Sequence, residues 1–209
     1  MKERHTPHLV HARPKILILA LGNPLHGDDG IGAAIIQTLD HIPTLPSNVT
    51  LMDGGTGGIK IAQWIQDYQF VFIIDAADFE HVPGEWRRFS IDDILRLSER
   101  KGPGLTLHNA GLTYALELAS VLSTLPSRIV IYAIQTQNVD WSLGISEPVQ
   151  RVIPEICESI VKEIQDLAFP VCRYRHNKLL SLSLMVSPSL RGRKHRPRRE
   201  EEMKNQLFK

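Results

Sequence analysis

Hydrophobic positions run along this chain in two alternating rhythms. Residues 16–21 are an unbroken apolar run, closed by Gly22-Asn23-Pro24, which is the pattern of a strand buried on both faces. From Ile31 the spacing becomes helical, with Ile31, Ala34, Ile35, Leu39 and Ile42 on one face. Residues 49–52 predict a second strand, 59–65 a short helix, and 70–74 a third buried strand ended by Asp75. Residues 84–90 predict an extra edge strand, followed by a loop rich in Gly and Pro. Leu112, Ala115, Leu116, Ala119 and Leu122 line up as the next helix stripe, and residues 128–135 as another strand. Ser146-Glu147-Pro148 opens the last helix with a capping hydroxyl, an acid and a first-turn proline. Its inner face is Val149, Val152, Ile153, Ile156, Ile160 and Ile164.

Strands and helices that alternate with short links build a mostly parallel sheet covered on both sides. The expected fold is therefore a three-layer α/β/α sandwich, with no internal repeat.

Composition adds little until charge is divided along the chain. With 43% apolar residues in 209, one domain with a sizeable core is expected. Residues 173–209 hold 11 Lys and Arg against 3 Asp and Glu, and the rest holds 13 against 20, so the body is acidic. The reading divides the chain into a flexible start over residues 1–13, an enzyme domain over 14–169, and a basic, disordered tail over 170–209. The tail is expected to be solubilising rather than a nucleic-acid contact. Cys157 and Cys172 form no metal or disulfide framework, and the opening residues lack the apolar core of a signal peptide. No apolar run is long enough to span a bilayer. The expectation is a cytoplasmic protein with no membrane contact.

In open parallel sheets ligands bind beyond the carboxyl ends of the strands. That rule selects three loops: residues 22–32 after the first strand, 53–58 after the second, and 75–78 after the third. His108, just before the fourth helix, could reach the same rim. The order Gly27-x-x-Gly30-x-Gly32 is wrong for a dinucleotide fingerprint and presents two carboxylates where phosphate would lie. No P-loop lysine follows a glycine cluster, and neither a serine elbow nor HExxH is present. What remains is Asp29, Asp75 and His108, two carboxylates and an imidazole able to hold a borderline divalent ion with positions left open. Ligand type alone allows nickel, zinc or manganese. Each residue also has a structural reading: Asp28 or Asp29 as a helix cap, Asp75 as a strand terminator, His108 as a helix-entry residue. Gly54, Gly55, Gly57 and Gly58 suggest close backbone approach, with exposed amides that could pair with an extended peptide.

The segment Leu21-Gly22-Asn23-Pro24-Leu25-x-x-Asp28-Asp29-Gly30-Ile31-Gly32 resembles the opening signature of the hydrogenase maturation endopeptidases. Asp53-Gly54-Gly55-Thr56-Gly57-Gly58 resembles that family's second block, and Ile74-Asp75-Ala76 and His108 its remaining ones, in order and spacing. The resemblance covers about residues 14–168. It implies an enzyme that removes a C-terminal peptide from the nickel-loaded large subunit of a nickel–iron hydrogenase. It further implies that Asp29, Asp75 and His108 contact nickel, which arrives inside the precursor rather than as a permanent cofactor. Asp29 stands where some members carry Glu, which keeps the carboxylate and shortens its reach. Residues 53–58 would hold the substrate backbone.

A water would attack the scissile carbonyl, aided either by metal polarisation or by a carboxylate base. Alternatives are an aspartic-type protease in which Asp29 and Asp75 share a proton, a non-catalytic sensor of the nickel-loaded precursor, and a nucleotide-binding domain.

Overall fold

In a computed structural model the described residues are 13–99, 106–107 and 110–168, all belonging to the unit Met1–Ala168. The readings made for the start of the chain, for His108 and for the basic tail lie outside the described residues.

The elements follow in the order β1 (Ile16–Ala20), α1 (Ile31–Asp40), β2 (Val49–Asp53), α2 (Lys60–Ile65), β3 (Phe70–Asp78) and β4 (Trp86–Ser90). Then come α3 (Ile91–Glu99), β5 (Thr106–Leu107), α4 (Ala110–Val121), β6 (Arg128–Gln135), α5 (Glu147–Arg151) and α6 (Ile153–Ala168). The sheet runs β2-β1-β3-β6-β4, and β5 pairs with β3 beside that path. The β1–β2, β1–β3 and β3–β6 pairs are parallel, while β4 lies antiparallel on β6 as an edge. This is the expected mostly parallel α/β/α sandwich.

Alternation along the central strands divides the core into two layers. Leu17, Leu19, Val71, Ile73, Ile129 and Ile131 face α2, α3 and α4, with Ile61, Ile65, Ile94, Leu112, Ala115 and Leu116 packed on them. Ile16, Ile18, Phe72, Ile74, Val130 and Tyr132 face the other way, under Ile31, Ile35, Leu39, Val149, Ile156 and Ile160 of α1, α5 and α6. Each of these aliphatic side chains, taken out of water, stabilises the fold by about 1.5–3 kcal/mol.

Four details depart from the sequence reading. First, β3 does not end at Asp75 but continues to Asp78, because Asp75–Ala77 stay in register with Ala133–Gln135 and Ala77–Asp78 also pair with β5. Second, the stretch after β4 is not all loop. Ser90 and Asp93 cap α3 reciprocally: Asp93 N donates to Ser90 Oγ at 3.2 Å and Ser90 N to Asp93 Oδ2 at 2.9 Å. Third, the last helix is divided between α5 and α6 at Val152, next to Pro154, which lacks an N–H and crowds the preceding turn. Fourth, Leu122 lies beyond α4 and is exposed.

β4 is fastened to the neighbouring layer by one acid. Glu163 of α6 accepts from Arg88 Nε at 2.6 Å and Nη2 at 2.9 Å, from Arg128 Nη2 at 2.9 Å, and from Tyr132 Oη at 2.8 Å. Burial alone would raise the Glu163 pKa, but the hydrogen bonds from Arg88 and Tyr132 and the charges of Arg88 and Arg128 outweigh it, and the net direction is down.

Candidate active site at the carboxyl rim of the sheet

The chain leaves β1 toward β2 on one side and returns on the other side as β3, so the carboxyl ends of β1 and β3 frame the topological switch point. The site loops converge there. Leu21 N donates to Ile74 O at 2.8 Å, which ties the end of β1 to the residue before Asp75. The turn Gly27–Gly30, a single 3-10 turn after β1, packs against β3 and carries Asp28 and Asp29.

Asp29 is nearly buried, and its Oδ2 accepts from Asn23 N at 2.8 Å. Asp75 is fully buried within β3 and shares the alternation of Ile73 and Ala77, toward α2 and α4. The turn that carries the first acid thus packs on the strand that bears the second. His108 lies outside the described residues; of its neighbours, Leu107 pairs opposite Ala77 and Ala110 begins α4. Among the described residues no group of three or more His, Cys, Asp and Glu is arranged to hold a metal.

Neither acid is a cap. The N-cap of α1 is Gly30, with no side-chain cap bond. Asp28, which the sequence offered only as a possible cap, is instead fully buried and accepts four hydrogen bonds from the loop that follows β6. Ser146 likewise makes no side-chain cap bond, because its hydroxyl is committed to Asp28 at 2.9 Å.

The loop after β6 was missed by the sequence reading, although the strand-end rule that chose the other three loops applies to it equally. It lies against the first loop. Gly27 N donates to Ser142 O at 2.9 Å and Ser142 N to Leu25 O at 3.0 Å, and the His26 ring meets Trp141 edge-on at 4.9 Å. Trp141 and Leu143 are largely exposed.

The glycine loop is more tightly built than its composition suggests. Gly54 N donates to Ala20 O, Gly55 N to Asp53 Oδ1, Gly57 N to Gly54 O, and Gly22 N to Gly55 O. Three of the amides that an extended peptide might have used are therefore engaged within the protein. A side chain at Gly54 or Gly57 would strike Trp64 or Ile61 below 3.0 Å, whereas space at Gly55 and Gly58 is open. Asp53, Gly54, Gly55, Thr56, Gly57, Lys60 and Trp64 line a cavity of about 500 Å³.

The mostly parallel sheet, with an acid-bearing turn packed at its switch point, defines an α/β protein with a candidate site at the carboxyl rim, and comparison with known proteins gives its family. Residues 33–163 match the model of the hydrogenase maturation protease family. The hydrogenase expression/formation protein HupD of Thiocapsa roseopersicina is 31% identical over 179 residues, 85% of this chain and 79% of its own. HupD of Rhizobium leguminosarum is 29% identical over 73% of this chain and 75% of its own. Among solved structures, the hydrogenase maturating endopeptidase HybD of E. coli superposes with a TM-score of 0.64 at 22% identity, covering 73% of this chain and 93% of its own. The [NiFe] hydrogenase maturation protease HybD of Thermococcus kodakarensis gives 0.58 at 25% identity, covering 71% and 97%.

This chain belongs to the hydrogenase maturation protease family. It is a hydrolase, an endopeptidase of hydrogenase maturation. No helix among the described residues is long and apolar enough to cross a membrane.

Proposed function

We propose that the chain removes a C-terminal peptide from the nickel-loaded precursor of a nickel–iron hydrogenase large subunit. Nickel belongs to the substrate in this reading and is not a resident cofactor. The precursor's metal docks against Asp29, Asp75 and His108, and the cut bond is presented beside them. Carboxylate oxygens and an imidazole suit a borderline divalent ion. Water adds to the scissile carbonyl, the C–N bond breaks, and the new amine leaves protonated. The loop formed by Asp53, Gly54, Gly55, Thr56, Gly57 and Gly58 lies along the substrate backbone, with bare α-carbons at Gly55 and Gly58 allowing close approach.

The observation that carries the reading is the packing of the Asp29 turn on the strand that holds Asp75, at the switch point of the sheet. The enzyme works in the cytoplasm on a protein partner, needs neither nucleotide nor nucleic acid, and uses residues 14–169 as its protease domain.

The test is mass spectrometry of nickel-loaded and nickel-free precursor after incubation with the parent protein and with Asp29→Ala, Asp75→Ala and His108→Ala. Cleavage of the loaded form alone, lost in the variants, is expected. Full activity in all three variants would overturn the site, and a stable complex with no change in precursor mass would favour a sensor.

A further inference from the structure

We infer that Asp28 is a positioning residue for the cleavage reaction, locking the loop after β1 to the loop after β6 so that Asp29 is held at the rim. The inference rests on the reading of Asp29 as a residue that meets the substrate.

Four donors converge on this one carboxyl group. Gln137 N and Asn138 N reach Oδ2 at 2.7 and 3.0 Å, Ser146 Oγ reaches the same oxygen at 2.9 Å, and Ser146 N reaches Oδ1 at 2.6 Å. The backbone returns the bond, with Asp28 N donating to Asn138 O at 2.9 Å. All of these partners are uncharged amides or a hydroxyl, and they come from sequence positions more than a hundred residues away. The approach is close enough that a side chain on Gly27 would fall 2.8 Å from Asn138 O.

The place of this clasp gives it a bearing on the chemistry. β1 and β6 run parallel to β3 on either side of it, so a bond network that joins the loops after β1 and β6 spans the strand carrying Asp75. Asp28 and Asp29 are consecutive in one four-residue turn. Asp29 is therefore fixed from two directions: directly by Asn23 N, and through the shared turn by whatever Asp28 grips. Loosening that grip displaces the Asp29 carboxylate without removing it, and small displacements of a reacting group reduce turnover steeply.

Asp28→Asn tests this, because the amide NH2 must face an N–H or hydroxyl donor and break at least one of the four bonds. Steady-state cleavage of nickel-loaded precursor is measured with folding checked by circular dichroism and thermal melting. The expected result is a fall in kcat of about ten-fold or more with KM changed by less than about two-fold.

Ser146→Ala is the second variant, which removes one donor and leaves the carboxylate. It is expected to lower kcat by about two- to five-fold, and Ser146→Thr, which returns the hydroxyl, to restore most of it. Asp29→Ala is run in parallel. Loss of cleavage there, with kcat within about two-fold of the parent in folded Asp28→Asn, would overturn the role of Asp28 alone. Full activity in Asp29→Ala would overturn the site reading and this inference with it. Should Asp28→Asn fail to fold, the Ser146 pair decides, and equal kcat for alanine and threonine overturns the proposal.

Discussion

Gly22 and Asp29 touch so closely that a side chain on the first would overlap the backbone of the second. A Cβ built on Gly22 would lie 1.9 Å from Asp29 O and 2.9 Å from its Oδ1, at a backbone φ of +119° that other residues rarely adopt. Gly22→Ala is expected to destabilise the protein by about 2–4 kcal/mol and to abolish cleavage. Gly55→Ala, left-handed but with open space around it, should lose only about 1 kcal/mol. Urea denaturation of both variants checks the contrast, and equal losses would contradict it.

Gln135 is a buried polar hub at the end of β6. Its Oε1 accepts from Phe79 N at 2.8 Å and from His81 N at 3.3 Å, and its Nε2 donates to Asp78 Oδ1 at 3.1 Å. Gln135→Leu keeps the volume and strands these groups, so a loss of about 1–3 kcal/mol is expected. Chemical denaturation measures it, and an unchanged midpoint would refute the hub.

The Glu163 pKa is lowered in the folded state, so its contribution is present above the unfolded carboxyl range and fades as pH falls through the folded value. Glu163→Gln should destabilise by about 1–2 kcal/mol near neutrality, allowing for the partial exposure of its arginine partners. The gap between parent and variant should close on acidification. Melting curves between neutral and acid pH provide the measurement, and a gap that widens in acid would reverse the sign.

Cys157 is buried among the residues of α1 and α6, and burial pushes its thiol up to about 11. In a Cys172→Ser background the native protein should react with a disulfide reagent far more slowly than the urea-unfolded chain, because only the thiolate attacks. Equal rates would be incompatible with this burial.

The strands and most helices were legible because their apolar periods are undiluted: residues 16–21 and 70–74 are short apolar runs closed by Gly-Asn-Pro and by Asp, the length and flanks of buried strands. The extension of β3 through Asp75 to Asp78 was not legible, since alanine and aspartate carry no strand signal and the pairing that holds them comes from Ala133–Gln135, far away in sequence. The helix α3 could have been read from Ser90-x-x-Asp93, a capping pair that is easily overlooked because β4 ends at Ser90 and α3 begins at Ile91 with no link between them. At the site, chemistry singled out Asp29 and Asp75 but left Asp28 indistinct, because nothing local separates an acid that caps a helix from one that grips a loop from residue 137 onward.

Asp75 lies within the paired length of β3, not in the loop beyond it. The residue is fully buried and pairs with Ala133 of β6, a setting in which amide protons are expected to exchange with solvent only through large openings of the domain. Deuterium uptake around Ile73–Ala76 should then keep pace with global unfolding. Under the proposed function, an acid held in this way offers the precursor's nickel centre a fixed acceptor, and the adjustment on docking has to come from the precursor.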